Sequence, residues 1–92
     1  MATADADQAA SFVARILSPL AGDDEVTRRA AETLAVYLEE NCSRSRATAR
    51  LYVHANTVNY RVRQAEQILG RSIDSDAFGL QVALALLPAV RR

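Results

Sequence analysis

The segment from His54 to Gly70, HANTVNYRVRQAEQILG, combines a helical apolar stripe with an acid-free polar start. Its apolar residues recur at spacings of four, three and four: Val58, Val62, Ala65 and Leu69. This period predicts an amphipathic helix, and Gly70 supplies its C-terminal stop. A helix N-terminus carries partial positive charge and favours Asp or Glu. Here Glu66 is the first acid and two arginines precede it, so the front of the helix suits an anionic partner.

The polar residues of this segment fall on the side of the helix opposite Val58, when each residue turns the helix by about 100°. They are Asn56, Tyr60, Arg63 and Gln67, flanked by Thr57, Asn59 and Gln64. Asn and Gln amides form paired hydrogen bonds with adenine, Arg binds guanine or phosphate, and hydroxyls bind phosphate oxygens. Free N–H groups at a helix start also bind phosphate. The face therefore predicts binding of double-stranded DNA in the major groove.

A tight connection joins this segment to the short helix predicted before it, SRSRATARLYV, which begins at Ser43 or Ser45 as N-cap. The four residues YVHA separate Leu51 from Asn56, and such a sharp turn predicts a helix-turn-helix over about residues 44–70. The glycine often found in these turns is absent, and Tyr52 stands in that region. We expect the helix that begins near Ala55 to enter the major groove.

The residues expected to contact DNA come from both helices of this unit. The set is Arg44, Arg46, Arg50, His54, Asn56, Thr57, Asn59, Tyr60, Arg61 and Arg63. Four arginines would hold phosphates: Arg44, Arg46, Arg50 and Arg63. Three residues would choose bases: Asn59, with Asn56 and Tyr60.

Several of these residues have an alternative role. Arg61 lies about 60° from the inward direction, so it either binds phosphate or pairs with an acid of the second helix. His54 either caps the helix or reads a base. Tyr60 either contacts DNA or packs against a partner chain, and the arginines of the preceding helix could form a merely solvated face.

Charge is segregated along the chain although 11 basic and 11 acidic residues give a net charge of zero. Residues 1–40 hold eight acids and three bases, a net charge of −5. Residues 41–73 hold six arginines and one acid, a net charge of +5. This pattern indicates a face for an anionic partner, or alternatively two halves that pair with each other inside the fold.

The remaining chain predicts helices and no strand. The helices are QAASFVARILSPL, closing near Pro19; DDEVTRRAAETLAVYLEEN; and DAFGLQVALALLPAV, capped by Asp74 or Ser75 and ending near Pro88. We therefore expect one all-α domain over residues 1–92, with about five helices. The last helix is apolar on so many sides that it is either central in the monomer or covered by a second chain. A homodimer through the first and last helices would supply that cover.

Other classes of function have little support in the sequence. We expect no membrane span, signal peptide, cofactor or small-molecule ligand, and we expect a cytoplasmic protein. One cysteine, Cys42, and one histidine give no disulfide and poor support for a metal site. Paired catalytic carboxylates, a Cys–His nucleophile and a Gly-rich phosphate loop are absent, so an enzyme is not expected.

Residues 51–87, LYVHANTVNYRVRQAEQILGRSIDSDAFGLQVALALL, resemble the C-terminal helix-turn-helix domain of PucR-type regulators, which include purine-catabolism and sugar-diacid regulators. The matching residues are His54, Asn56, Thr57, Val58, Tyr60, Arg61, Glu66, Leu69, Gly70 and Asp74. The resemblance covers about residues 30–88. Ala55 and Asn59 depart from the pattern, which often has Arg at both positions, so two positive charges are missing from the reading face.

The resemblance implies a sequence-specific DNA-binding output domain of a bacterial transcription regulator, associated with the nucleoid. It also implies a fold similar to the dimeric Fis-type DNA-binding domain. Such domains usually end a longer chain, so the 92 residues are expected to be a C-terminal fragment. The rival interpretation is a helical protein-interaction or dimerisation module that does not bind DNA, with the apolar last helix as its docking surface.

Overall fold

Five α-helices and their connections make up residues 2–90 in a computed structural model, which describes the side chains of residues 8–88. They are α1 (Ala2–Leu17), α2 (Glu25–Glu39), α3 (Arg44–Leu51), α4 (Ala55–Leu69) and α5 (Ala77–Val90). Two short 3-10 helices, Ser18–Ala21 and Ile73–Ser75, follow α1 and precede α5. The described residues contain no strand, which confirms the all-α prediction.

The core forms where the apolar stripes of the helices meet. The helix α5 packs on α1 and α2, and α2 also packs across α4 and α3. The largest fully buried side chains come from α1, the first 3-10 helix, α2, α4 and α5: Leu17, Leu20, Leu34, Leu80, Val13, Val58 and Thr33. One hydrophobic cluster therefore holds all the helices together.

Most of the apolar surface of α5 is covered within this chain. Leu80, Leu84 and Leu87 are buried, and Val82 and Leu86 are partly buried. The sequence left two explanations for the apolar surface of α5: a central place in the monomer or cover by a second chain. The central place explains most of that surface. Phe78 is the exception, because 78% of it is exposed at the first turn of the helix.

The predicted start of α5 was wrong, whereas its predicted end near Pro88 agrees with the structure to within two residues. Asp74 and Ser75 lie in the 3-10 turn that Ser72 caps, because the Ser72 hydroxyl accepts the Asp74 N–H at 3.2 Å. The cap of α5 passes to Asp76, whose Oδ1 accepts the Gly79 N–H at 3.1 Å. At the other end, α5 continues through Pro88 to Val90, since the fixed φ of proline fits a helix and costs one backbone donor.

The ends of α2 fix the entrance to the helix-turn-helix. At its start, Asp24 Oδ2 accepts hydrogen bonds from the Thr27 N–H at 3.0 Å and the Thr27 hydroxyl at 2.9 Å. These bonds favour the carboxylate and lower the pKa of Asp24. At its end, Asn41 and Cys42 both adopt positive φ, and the Cys42 N–H donates to the Tyr37 carbonyl at 2.8 Å. This Schellman-type closure reverses the chain into α3.

Two side chains tie the segment after α4 to its surroundings. Arg71 donates to the Ile16 carbonyl at 3.2 Å, near the C-terminus of α1, where a cation is favoured. Glu66 accepts the Ile73 N–H at 3.0 Å. The segment between α4 and α5 is therefore anchored to both α1 and α4.

Thr33 offers a test of how this core is packed. It is 1% exposed, and its hydroxyl has no hydrogen-bond partner among the described residues. Thr33→Val should raise the free energy of unfolding by about 1 kcal/mol, because it removes an unsatisfied polar atom and keeps the side-chain shape. Thermal unfolding followed by circular dichroism should show a higher Tm. Thr27→Val is the matched control and should lower the Tm, since the Thr27 hydroxyl bonds to Asp24. A fall in Tm for Thr33→Val would contradict this account.

Candidate nucleic-acid interface

The turn between α3 and α4 takes three residues, Tyr52, Val53 and His54. Tyr52 ends α3 in the left-handed conformation, with φ 56° and ψ 41°, and its N–H donates to the Thr48 carbonyl at 2.9 Å. A glycine adopts this conformation without strain, which explains why glycine is common in such turns. Tyr52 therefore performs the role of the missing glycine, with 94% of the residue exposed.

His54 begins α4 as its N-cap. Its ring Nδ1 accepts the Asn56 N–H at 3.1 Å, and its carbonyl accepts the Thr57 N–H at 2.9 Å. The capping role considered from the sequence is therefore present. The side chain is also exposed, and its reading of a base stays a prediction. The prediction that the helix begins near Ala55 is confirmed.

The rotation of α4 about its own axis is fixed by its buried stripe. Val58 and Ala65 are both 0% exposed, and Val62 is buried with them. Ala47 of α3 is fully buried too, and its small side chain allows the two helices to approach closely. The predicted inward stripe is confirmed at these three α4 positions, and Leu69 is partly buried.

The predicted reading face consequently points outward. Its exposed members are His54, Asn56, Tyr60, Arg63 and Gln67; its partly buried members are Thr57, Asn59, Arg61 and Gln64. The sole acid of α4, Glu66, is partly buried and is occupied by the backbone of Ile73. The structure thus brings the candidate residues of α4 together on an open surface whose first three turns carry no carboxylate.

Among the grooves that border this face, two lie on opposite flanks of α4. The first, called here the α2–α4 groove, has a volume of about 400 Å³ and is lined by Val26, Arg29, Asn56, Thr57, Tyr60, Arg61 and Gln64. The second has a volume of about 250 Å³ and is lined by Tyr37, Asn59, Val62, Arg63, Glu66, Ile73 and Asp74. Asn59 and Arg63 therefore lie on the flank of α4 that carries two acids, whereas Thr57, Arg61 and Gln64 lie on the other.

Arg61 forms no ion pair with any described carboxylate. The alternative in which it pairs with an acid of α2 is therefore wrong for the described side chains. The residues that α2 contributes to the groove lined by Arg61 are Val26 and Arg29, and neither is an acid. This partly buried guanidinium keeps its hydrogen-bonding capacity for another partner.

The three arginines of α3 differ in their surroundings. Arg50 donates to Glu39 at 2.9 Å and to Glu40 at 3.1 Å, and these bonds, with that to Glu39 first, raise its pKa. Arg44 and Arg46 are exposed and form no ion pair with a described acid. Arg50 therefore forms ion pairs with two carboxylates at the end of α2. These carboxylates would compete with the predicted phosphate contact of Arg50.

Within the described residues, ion pairs between the acidic half and the basic half of the chain occur at one place, around Arg50. The ion pairs of Arg50 with Glu39 and Glu40 join the basic half to the acidic half. The ion pair of Arg29 with Glu25 lies within the acidic half. Internal pairing thus accounts for a small part of the charge segregation, and most of the basic surface around α3 and α4 remains available.

Sequence reasoning did not find the contribution of α2 to this surface. Val26 and Arg29 lie 30 and 27 residues before Asn56 in the chain, and no spacing rule links them to α4. Among the described residues, no group of His, Cys, Asp and Glu has the arrangement of a metal site, and Cys42 is an exposed free thiol. None of the described helices is long and apolar enough to cross a membrane.

The comparison with protein families decides which group of helix-turn-helix proteins this is. Residues 30–87 match the family model of the PucR C-terminal helix-turn-helix domain. The chain belongs to this family. The match starts inside α2 and ends inside α5, so it includes the α3–α4 unit and the groove beside it. The resemblance inferred from the sequence is confirmed, and the family implies a DNA-binding output domain of a transcription regulator.

Curated relatives extend the similarity beyond the family model. The purine catabolism regulatory protein of Bacillus subtilis (strain 168) is 39% identical over 75 residues, which cover 82% of this chain and 14% of that protein. The proline-responsive transcriptional activator PutR of the same strain is 36% identical over 66 residues, covering 72% and 16%. An uncharacterized protein in the pkwA 5' region of Thermomonospora curvata is 32% identical over 82 residues, covering 89% and 46%.

The PucR-type domain therefore spans between about a seventh and a half of the length of these relatives. No solved structure matches the chain significantly.

Two substitutions of His54 separate its capping role from contact with DNA. His54→Ala should lower the free energy of unfolding by about 1 kcal/mol, because it removes the side-chain acceptor of the cap. His54→Asn should keep stability near that of the parent, since Asn is a good N-cap. Denaturant unfolding measures both. Equal stability of the parent and His54→Ala would contradict the cap. If His54→Asn is stable but binds duplex DNA more weakly, the ring also contacts DNA.

Proposed function

We propose that this domain binds double-stranded DNA sequence-specifically, with α4 as the recognition helix in the major groove. It would act as the output domain of a bacterial transcription regulator, in the cytoplasm and at the nucleoid. Residues 1–92 would form one such domain, at the C-terminal end of a longer protein. The low coverage of its relatives supports a place within a longer regulator.

One observation carries this proposal, the exposed and acid-free outer face of α4. The major groove is about 12 Å wide, and an α-helix with its side chains is about 10–12 Å across. The helix can therefore enter the groove along its length only if its outer face is uncovered. Asn56, Tyr60 and Arg63 meet this condition, and Asn59 is partly exposed beside Arg63.

The chemistry of the face divides the work between bases and phosphates. The side-chain amides of Asn56 and Asn59 can form paired hydrogen bonds with adenine, and the Tyr60 hydroxyl projects from the same surface. Arg44, Arg46 and Arg63 have no described acidic partner and would bind phosphates. Arg50 would have to bind phosphate through its Nε or Nη2, beside the two carboxylates of Glu39 and Glu40 that its Nη1 already contacts. Because Ala55 and Asn59 replace two arginines of the family pattern, amides would contribute more to binding than in its relatives.

A homodimer through α1 and α5 would place two such faces on one duplex. Half-sites would then lie about one turn of DNA apart, roughly 34 Å. The exposed ring of Phe78 at the start of α5 supports an interface at this end of the helix. Burial of an aromatic ring is a common source of stability in such interfaces.

Arg63→Ala tests the recognition helix. It should weaken binding to all duplexes and lower the slope of log K against log salt by about 0.9, because one phosphate contact is lost. Fluorescence anisotropy with labelled duplexes at several salt concentrations gives both quantities. Arg15→Ala is the charge-matched control on α1, where Arg15 lies over the Phe12 ring and lines neither groove beside α4.

Equal effects of the two substitutions would remove Arg63 from the interface. A loss of affinity confined to one DNA sequence would mean that Arg63 reads a base instead of a phosphate. If no duplex binds to the parent protein at low salt, the rival interpretation of a protein-interaction module would replace the proposal.

Phe78→Ser tests the dimer. Because the ring is exposed in the monomer, the substitution should leave the Tm of dilute, monomeric protein nearly unchanged. It should shift the molecule towards the monomer by removing apolar surface from the interface. Sedimentation velocity over a concentration series measures the dissociation constant. Gln67→Ser, at an exposed position of α4 and so outside the proposed dimer helices, is the control and should leave the constant unchanged. A parent protein that sediments as a monomer at every concentration would contradict the dimer.

A further inference from the structure

We propose that the α2–α4 groove holds a phosphodiester of the DNA backbone, gripped by Arg29 from α2 and Arg61 from α4. This inference rests on the proposed function and adds to it a backbone contact from a helix outside the helix-turn-helix unit. The occupant is one sugar–phosphate unit of the strand that passes along this flank of α4.

The groove has an unbalanced positive charge. Arg61 has no described acidic partner, although it is partly buried. Arg29 has one, since its Nε donates to Glu25 Oε1 at 2.8 Å. That bond leaves the two terminal amino groups of Arg29 without a described partner. Two guanidinium groups are thus balanced by a single carboxylate, that of Glu25, which only Arg29 contacts. Guanidinium groups bind phosphate oxygens through paired hydrogen bonds.

The lining of the groove fits a sugar–phosphate unit in shape and polarity. Val26 offers apolar surface, with 52% of the residue exposed, and the Tyr60 ring adds an aromatic edge. These surfaces suit the deoxyribose. The hydroxyl of Thr57 and the side-chain amide of Gln64 line the same groove and can donate to phosphate oxygens. A volume of about 400 Å³ leaves room for one such unit.

The α2–α4 groove also lies where one DNA strand would pass if α4 entered the major groove. A helix about 10–12 Å across nearly fills a major groove about 12 Å wide, so its two flanks lie against the two strands. On one flank is the α2–α4 groove. On the other flank, Glu66 and Asp74 line the second groove, so the phosphate contact of Arg63 would be weaker than one made by two arginines. The strand on the side of α2 would therefore be held more firmly, which favours one orientation of the domain on DNA.

Arg29→Gln is the decisive variant, with Arg28→Gln as its control. Both arginines lie on α2 and are exposed, but Arg28 lines a different groove, between α2 and α5. Affinity for a labelled mixed-sequence duplex is measured by fluorescence anisotropy at several salt concentrations. Arg29→Gln should reduce the slope of log K against log salt by about 0.9, whereas Arg28→Gln should leave it unchanged.

Arg61→Gln should reduce the slope by a similar amount, and circular dichroism would check that this partly buried residue is not needed for folding. If Arg61→Gln unfolds the domain, Arg29→Gln alone decides, since Arg29 is exposed and its loss removes one surface ion pair.

The outcomes separate this inference from the function on which it rests. If the parent protein binds the duplex and Arg29→Gln behaves like Arg28→Gln, the groove does not hold the backbone, and the α4 interface stands without it. If the parent protein does not bind the duplex, both proposals fail. If inorganic phosphate at matched ionic strength binds the parent protein but not Arg29→Gln and does not displace the duplex, the groove is a small-anion site, and the inference is overturned.

Discussion

The burial of Val58 and Ala65 against the other helices determines what the rest of this surface can do. Each residue turns an α-helix by about 100°, so two fully buried positions fix the direction of every other side chain on α4. The left-handed Tyr52 and the His54 cap then fix where the helix starts. With the rotation and the start both set, the amides and arginines have no freedom to face elsewhere. The outward face is therefore a consequence of the core.

Most of the acidic residues that the structure describes bind the backbone or other side chains. Asp24 and Asp76 accept N–H groups at helix starts, Glu66 accepts one from the 3-10 turn, and the pair at the end of α2 holds Arg50. This use of carboxylates explains how a chain of zero net charge can keep a basic surface. The negative charges lie at caps and around α2, and the basic side chains around α4 are left with few carboxylates near them.

Periodicity made the helices and the reading face predictable from the sequence. The spacing of Val58, Val62 and Ala65 gave both the helix and its inward side, and the four residues before Asn56 gave the turn. Such signals are local, because they depend on neighbours within one or two helical turns. The choice of Asp76 over Asp74 as the cap was not predictable in this way, since a 3-10 turn displaced the start of α5.

Contacts between distant parts of the chain were also beyond the sequence. The ion pairs of Arg50 with Glu39 and Glu40 depend on how α3 folds back on α2. Counting charges along the chain could not decide whether these side chains pair with each other or are solvated. The wall that Val26 and Arg29 give to the α2–α4 groove depends on how α2 crosses α4. Likewise, the apolar circumference of α5 suggested a missing partner, whereas α1 and α2 bury most of it.

The most direct test of the central claim is a nuclear magnetic resonance titration of the isotope-labelled domain with a DNA duplex. If the outer face of α4 is the contact surface, the amide shifts that change most should lie between His54 and Gln67, with a second group at the start of α2. The residues of α1 should change little. Shifts confined to α1 and α5, with α4 unaffected by the duplex, would contradict the account.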